Sequence, residues 1–137
     1  MNFKIDTREK FTIITPVTDF FSDNLTAELI ELANSYLQKR INLVLNFKNI
    51  TSINEQCAEQ IAALQKQFYE ENLSFVLCAL QKDVESLIEK LELDDVINIT
   101  PSETEAWDIV QMEEIERELM NGENASFTDS GKDDDEK

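Results

Sequence analysis

Residues Asn54, Glu55, Gln56 and Cys57 form a polar turn between an apolar strand pattern and a helical pattern. The start of a helix exposes backbone N–H groups that have no partner inside the helix, and such groups suit anions or the acceptor groups of a partner. Here the carboxylate of Glu55 already occupies the place where a phosphate would bind. The turn therefore predicts either an ordinary helix start capped by Asn54 or a docking surface for a protein partner.

Catalytic chemistry has few candidate side chains in this sequence. The chain has no histidine, which removes the usual general base and the commonest metal ligand. Its two glycines, Gly122 and Gly131, lie beyond the last helical pattern, which excludes a P-loop and a dinucleotide-binding fingerprint. We therefore expect no cofactor and no metal, and an enzyme would have to use carboxylates or the thiol of Cys57.

The two cysteines, Cys57 and Cys78, lie inside apolar periodic segments rather than in a close pair. Free cysteine is among the most buried residue types, so we expect two buried, reduced thiols and a cytoplasmic protein. The first residues lack the apolar region of a signal peptide. No segment approaches the roughly 20 apolar residues that cross a bilayer, so no direct membrane insertion is expected.

The net charge of −17, from 29 acidic and 12 basic residues, restricts the partners. Nucleic-acid backbones and anionic membranes would repel such a chain, whereas basic or polar protein surfaces would not. The charge is concentrated near the end, where residues 111–137 carry 10 acidic and 3 basic side chains. A protein partner and no nucleic acid are therefore expected.

Strand and helix patterns alternate along the chain and predict an α/β fold. We expect a mixed sheet of four to five strands with about four helices, in the order ββαβαβαβα. The predicted strands cover residues 3–6, 10–15, 41–47, 73–79 and 96–99. The predicted helices cover about 24–40, about 55–71, the region around 84–91, and a segment that begins after a capping box at Ser102 and Glu105 and ends near 120.

The composition divides the chain at residue 120. Residues 121–137 contain one large apolar side chain, Phe127, and end in a run of acids, so they cannot bury enough surface to offset their ordering entropy. We predict a domain over 1–120 and a disordered acidic tail over 121–137.

The order of the predicted elements resembles a STAS domain, the fold of bacterial anti-sigma-factor antagonists and of the cytoplasmic ends of sulfate transporters. The resemblance runs from Phe3 to about Val110, about four-fifths of the chain. Its landmarks are the opening hairpin, residues 23–28 entering the first helix, residues 43–47 and 50–53 before the second helix, residues 91–93 before the last strand, and residues 102–106 opening the last helix.

The turn departs from the family pattern. Where the family commonly has Asp-Ser-Ser-Gly, this chain has Asn54-Glu55-Gln56-Cys57, so the phosphoacceptor serine falls on Gln56, which has no hydroxyl. The family's frequent glycine before the first helix falls near Phe20. Thr51 and Ser52, just upstream, are possible modification sites, although both also suit local hydrogen bonds in a turn.

The resemblance implies a protein-binding surface made by the 54–57 turn and the 19–24 loop. Asp23 lies in that loop, and Phe20 and Phe21 are expected to be exposed aromatic residues there. Three functions stay open. The first is an interaction domain like an anti-sigma-factor antagonist, which binds a serine-kinase-type anti-sigma factor. The second is a small cytoplasmic STAS subunit of a lipid-transport ATPase assembly, and the third is a carboxylate- or thiol-dependent enzyme.

Overall fold

The computed structural model describes residues 3–122, which form a five-stranded mixed sheet with four helices. Its strands are β1 (Phe3–Thr7), β2 (Phe11–Pro16), β4 (Asn42–Asn46), β6 (Phe75–Cys78) and β7 (Asn98–Thr100), while the short strands β3 (Phe20–Phe21) and β5 (Ser52–Ile53) lie outside it. The strand order in the sheet is β1-β2-β4-β6-β7. β1 runs antiparallel to β2, and the other neighbouring pairs are parallel. The predicted mixed sheet is confirmed.

The four helices begin and end close to their predicted bounds. They are α1 (Asp23–Gln38), α2 (Glu55–Glu70), α3 (Lys82–Lys90) and α4 (Glu103–Gly122). α4 continues two residues past the predicted domain boundary at 120. The rest of the predicted tail, 123–137, lies outside the described residues.

The central strands are buried on both faces, and alternate residues serve different cores. Leu43 and Leu45 of β4 belong to the larger core, which includes residues of α1, α2 and α3. Val44 lies in a smaller core with Ala106 and Val110 of α4. Since successive strand residues point to opposite faces, α4 covers one face of the sheet and the other three helices cover the opposite face.

A second, two-stranded sheet was not predicted. β3 (Phe20–Phe21) pairs in parallel with β5 (Ser52–Ile53), in a register that aligns Phe20 with Ser52 and Phe21 with Ile53. Strands of two residues are too short to show periodicity, so the sequence placed Phe20 and Phe21 in a loop. This small sheet ties the segment before α1 to the segment before α2.

Candidate functional site

The small β3–β5 sheet brings the 19–24 segment against the 54–57 turn. The backbone N–H of Thr51 donates to the carbonyl oxygen of Asp19 at 2.7 Å, and the Thr51 hydroxyl donates to the same oxygen at 3.1 Å. These contacts hold the starts of α1 and α2 side by side. The two segments that the sequence assigned to one surface are therefore adjacent.

Asn54 links the two helix starts through both ends of its side-chain amide. Its Oδ1 accepts the backbone N–H of Cys57 at 2.7 Å, which caps α2. Its Nδ2 donates to Oδ1 of Asp23 in the first turn of α1 at 3.0 Å. Ser22 caps α1, since its Oγ accepts the backbone N–H of Leu25 at 3.1 Å. One of the orphan N–H groups of each helix thus receives a side-chain partner, as Asn54 was expected to provide for α2.

The exposed residues around this link form one acidic, partly aromatic surface, which we call the α1–α2 surface. It consists of Phe20, Asp23, Glu55 and Gln56, all of them exposed. Phe20 leaves 48% of its surface accessible. Asp23 and Glu55 each lie in the first turn of a helix, where a carboxylate is stabilised by the helix dipole. The surface therefore presents negative charge beside an apolar ring.

A shallow depression of about 310 Å³ continues the α1–α2 surface between the two helices. Its lining residues are Asp23, Ala27, Ile30, Gln56 and Gln60. Ala27, Ile30 and Gln60 were not singled out from the sequence. Helical spacing could have identified these three residues, because Ala27 and Ile30 lie four and seven residues after Asp23, and Gln60 lies four residues after Gln56.

The expectation that Phe21 is an exposed contact residue is wrong. Phe21 is fully buried, and its ring lies 5.5 Å from the ring of Phe47 between centroids. The reason is the alternation of β3, which directs Phe20 outward and Phe21 into the core. Only the first of the two phenylalanines can meet a partner.

Cys57 is also unavailable for direct partner contact. Its side chain is 1% exposed, because it lies on the inner face of the first turn of α2. Burial raises the pKa of the Cys57 thiol to about 11, and Asp23 adds to the increase, while a hydrogen bond with Thr26 lowers it. Burial likewise raises the pKa of Cys78 to about 12. Both cysteines are free and buried, as expected, and neither favours the thiolate that nucleophilic chemistry needs.

Thr51 and Ser52, the possible modification sites, are both exposed. The Thr51 hydroxyl is used in the bond to Asp19, as expected for a turn residue, and the Ser52 backbone N–H also donates to that carbonyl at 3.3 Å. This geometry fits the interpretation that Thr51 is a turn residue whose hydroxyl satisfies a local backbone carbonyl.

Residues 3–122 contain no group of three or more acidic or cysteine side chains that could hold a metal ion. Within the same residues, no helix is both long and apolar enough to span a bilayer. The candidate site is a surface at the capped starts of α1 and α2.

Comparison with known families gives one match over most of the chain. The model of the STAS domain matches residues 2–106. Comparison of the sequence with curated proteins gives no significant match.

Solved structures with the same architecture share few residues with this chain. The protein TM1081 of Thermotoga maritima superposes with a TM-score of 0.72 at 19% identity, covering 80% of this chain and 94% of its own. A serine-to-glutamate variant of RsbS from Moorella thermoacetica gives 0.69 at 13% identity, covering 85% and 99%. The anti-sigma factor antagonist SpoIIAA in its unphosphorylated form gives 0.66 at 12% identity, covering 80% and 96%. SpoIIAA of Bacillus also matches in its phosphorylated form. At these identities the likeness establishes the fold.

Proposed function

Because the chain belongs to the STAS domain family, we propose that it is a non-enzymatic protein-interaction domain of the anti-sigma-factor antagonist type. Its partner is a regulatory protein, such as a serine-kinase-type anti-sigma factor. The partner binds the α1–α2 surface. Docking is constitutive, that is, not controlled by phosphorylation at the turn. The reason is that Gln56, which has no hydroxyl, stands where the family carries its phosphoacceptor serine.

The observation that carries this proposal is the link between the two helix starts. The 3.0 Å hydrogen bond from Nδ2 of Asn54 to Oδ1 of Asp23 joins the start of α2 to the start of α1. The small β3–β5 sheet holds together the segments that lead into both helices. A surface that is held in place before binding loses less conformational entropy when a partner docks. Glu55 and Gln56 lie at the centre of this surface and are exposed.

The charge of the surface indicates the chemistry of the partner. Asp19, Asp23 and Glu55 lie within it or beside it and are all exposed. A complementary partner presents arginine or lysine here, which speeds encounter and fixes the register of docking. The lack of a hydroxyl at Gln56 removes the means of adding further charge there.

Affinity purification with a matched pair of variants tests this assignment. The tagged full chain is purified from its native cells as wild type, Glu55→Lys and Glu70→Lys, and the bound proteins are identified by mass spectrometry. Glu70 is the matched control, since it is an exposed acid at the opposite end of the same helix, about 22 Å away. We expect a kinase-type anti-sigma factor with wild type and Glu70→Lys, and at least tenfold less with Glu55→Lys.

Two outcomes would overturn the assignment. Equal recovery of the partner by both variants would show that the α1–α2 surface does not bind it. Recovery of a lipid-transport ATPase subunit instead of an anti-sigma factor would favour the second function considered from the sequence.

A phosphate-transfer assay tests whether the turn lacks the phosphorylation switch of the family. The purified kinase-type partner is incubated with ATP and either wild type or Gln56→Ser, and phosphate is located by mass spectrometry. We expect no phosphate on wild type and one phosphoserine on Gln56→Ser, because Gln56 is exposed at the turn where the family carries its phosphoacceptor. Phosphate on Thr51 or Ser52 of wild type would contradict constitutive docking and place control upstream of the turn.

A further inference from the structure

α4 carries a second apolar face that points away from the sheet. Its inner face is fully buried through Ala106 and Val110. Met112, Ile115 and Leu119 lie on the opposite side and are 58%, 55% and 68% exposed. Since a helix turns 100° per residue, these three side chains are about 180–240° around the axis from Ala106. They form a continuous strip, which we call the α4 stripe.

The spacing of the α4 stripe is that of a helix-pairing seam. Single exposed apolar residues are common on protein surfaces and carry no meaning. Residues at i, i+3 and i+7, however, follow the a, d, a spacing of a heptad, which aligns apolar side chains along one line of the helix. An outward line of this kind fits the apolar face of another helix.

The residues beside the α4 stripe are acidic. With Met112 at position a, Glu116 and Glu118 fall at positions e and g, where charges determine which helix can pair. Both glutamates are exposed, and so is Asp108 at the preceding turn. The helix contains one base, Arg117, which is turned inward and donates to the hydroxyl of Ser74 at 3.2 Å. The stripe is therefore bordered by negative charge.

This charge pattern distinguishes between the possible occupants. A second copy of the chain would place glutamates at e and g opposite the same glutamates, which repels. The segment 123–137 carries six acids and two bases and would also meet like charge. A helix with an apolar seam and lysine or arginine at its flanks meets no such repulsion.

We propose that the α4 stripe is a docking site for a basic amphipathic helix of a partner protein, paired through Met112, Ile115 and Leu119. The site lies on the side of the sheet opposite α1, α2 and α3. It is separate from the α1–α2 surface, and one surface stays accessible when the other is occupied. The inference does not rest on the function proposed above.

A designed peptide provides the probe. It has 21 residues in three heptads, with isoleucine at a, leucine at d, lysine at e and g, and a fluorescein label. Fluorescence anisotropy measures its binding to the full chain as wild type and as the triple variant Met112→Ser, Ile115→Ser, Leu119→Ser. We expect saturable one-to-one binding to wild type and at least tenfold weaker binding to the triple variant. The three side chains are exposed, so thermal unfolding should show that the variant remains folded.

Matched controls distinguish binding of the peptide to the α4 stripe from nonspecific hydrophobic binding and from nonspecific electrostatic attraction to an acidic protein. The double variant Val17→Ser, Val96→Ser removes apolar side chains that are 54% and 46% exposed elsewhere, and it should bind like wild type. A peptide with the same lysines but serine at a and d should bind at least tenfold more weakly. A peptide with glutamate at e and g should not bind.

Three results would overturn the proposal. Unchanged binding by the triple variant would place the peptide elsewhere on the molecule. Equal binding of the serine peptide would show attraction by charge alone. Self-association of wild type that disappears in the triple variant, measured by sedimentation, would assign the stripe to a second copy of the chain.

Discussion

The side-chain amide of Asn54 accepts one hydrogen bond and donates another, which an ionised carboxylate cannot do because it has no hydrogen to donate. Its oxygen accepts from Cys57 N–H and caps α2, while its nitrogen donates to Asp23 in α1. An aspartate would keep the cap but would place a second negative charge against Asp23. The asparagine therefore suits a turn in which the neighbouring helix also begins with an acid.

Replacing Asn54 by alanine should lower the free energy of unfolding by about 1–2 kcal/mol, because the α2 cap and the link to α1 are both lost. Urea denaturation measures the change. Asn24→Ala is the matched control, since Asn24 is exposed in the first turn of α1 and Ser22 provides the cap there. That control should stay within about 0.5 kcal/mol of wild type. An equal loss in both variants would contradict a special role for Asn54.

The two buried thiols predict a loss of stability at alkaline pH. Their pKa values in the folded chain are raised to about 11 for Cys57 and about 12 for Cys78, above the ordinary value of 9.0. The unfolded chain therefore releases these protons first. Their contribution to stability is full below about pH 9 and is lost as the pH rises towards 11 and 12. Urea denaturation at pH 8 and pH 10 should show the lower free energy of unfolding at pH 10.

Thiol labelling checks the same burial independently. At pH 7.5 both cysteines should react with an aromatic disulfide reagent far more slowly in the native protein than in 8 M urea. Peptide mapping assigns the label to Cys57 or Cys78. Rapid labelling of Cys57 alone in the native protein would contradict its burial. It would support the hypothesis of a thiol-dependent enzyme that the sequence left open.

Three helices end with a left-handed residue that is not glycine. Arg40, Asn72 and Glu92 follow α1, α2 and α3 and have φ of 60°. In each case a backbone N–H reaches back five residues, as from Leu93 to Ile88 at 3.0 Å. Asparagine tolerates this conformation, as expected for Asn72 from the sequence, whereas glutamate and arginine do so at a cost of about 1–2 kcal/mol.

Glu92→Gly should therefore raise the free energy of unfolding by about 0.5–1 kcal/mol, once the greater freedom of glycine in the unfolded chain is counted. Glu92 is exposed, so little contact is lost. Glu89→Gly, within the same helix, is the control and should lower the free energy by about 1 kcal/mol. Urea denaturation distinguishes the two signs, and a loss with Glu92→Gly would show that its side chain stabilises the end of α3.

Local patterns predicted the large elements because each has its own periodicity. The apolar run before Lys48 and the helical spacing after Asn54 were sufficient for β4 and α2. The same patterns could not predict how α4 attaches to the sheet. Asn42 of β4 donates to Glu114 at 2.5 Å, and Asn46 donates to Glu103 at 2.6 Å. These partners are 72 and 57 residues apart, and nothing in the local sequence of β4 pairs its amides with acids in α4.

The candidate site was predicted in part for a similar reason. The capping role of Asn54 and the exposure of Glu55 and Gln56 follow from the start of one helix. The burial of Phe21 depends on its pairing with Ile53, which is a tertiary contact between strands of two residues. A resemblance in the order of elements placed the two segments together, but it could not determine which of two adjacent phenylalanines faces the partner.

The whole chain is strongly acidic, and few of the acids within residues 3–122 take part in the salt bridges found there. The chain carries a net charge of −17, and the salt bridges in the described part of the chain join Asp6 to Arg8, Glu114 to Lys10, and Glu71 to Arg40. All three involve side chains that are at least 28% exposed, so screening them by salt removes little stability. Repulsion among the many acidic side chains is greater in the compact state than in the unfolded chain. Charge should therefore destabilise the fold most at low ionic strength.

We expect the free energy of unfolding to rise when NaCl is increased from 20 mM to 500 mM at pH 7.5, because the Debye length falls to a few ångströms and the repulsion is screened. Urea denaturation at each salt concentration measures the slope. A variant with Glu59→Gln, Glu85→Gln and Glu89→Gln removes three exposed charges and should show higher stability at 20 mM and a smaller gain with salt. A stability that falls with salt, or an equal slope in the variant, would show that attractive pairs outweigh the repulsion. In that case the acidic side chains would stabilise the fold through their ion pairs, in addition to selecting a basic partner.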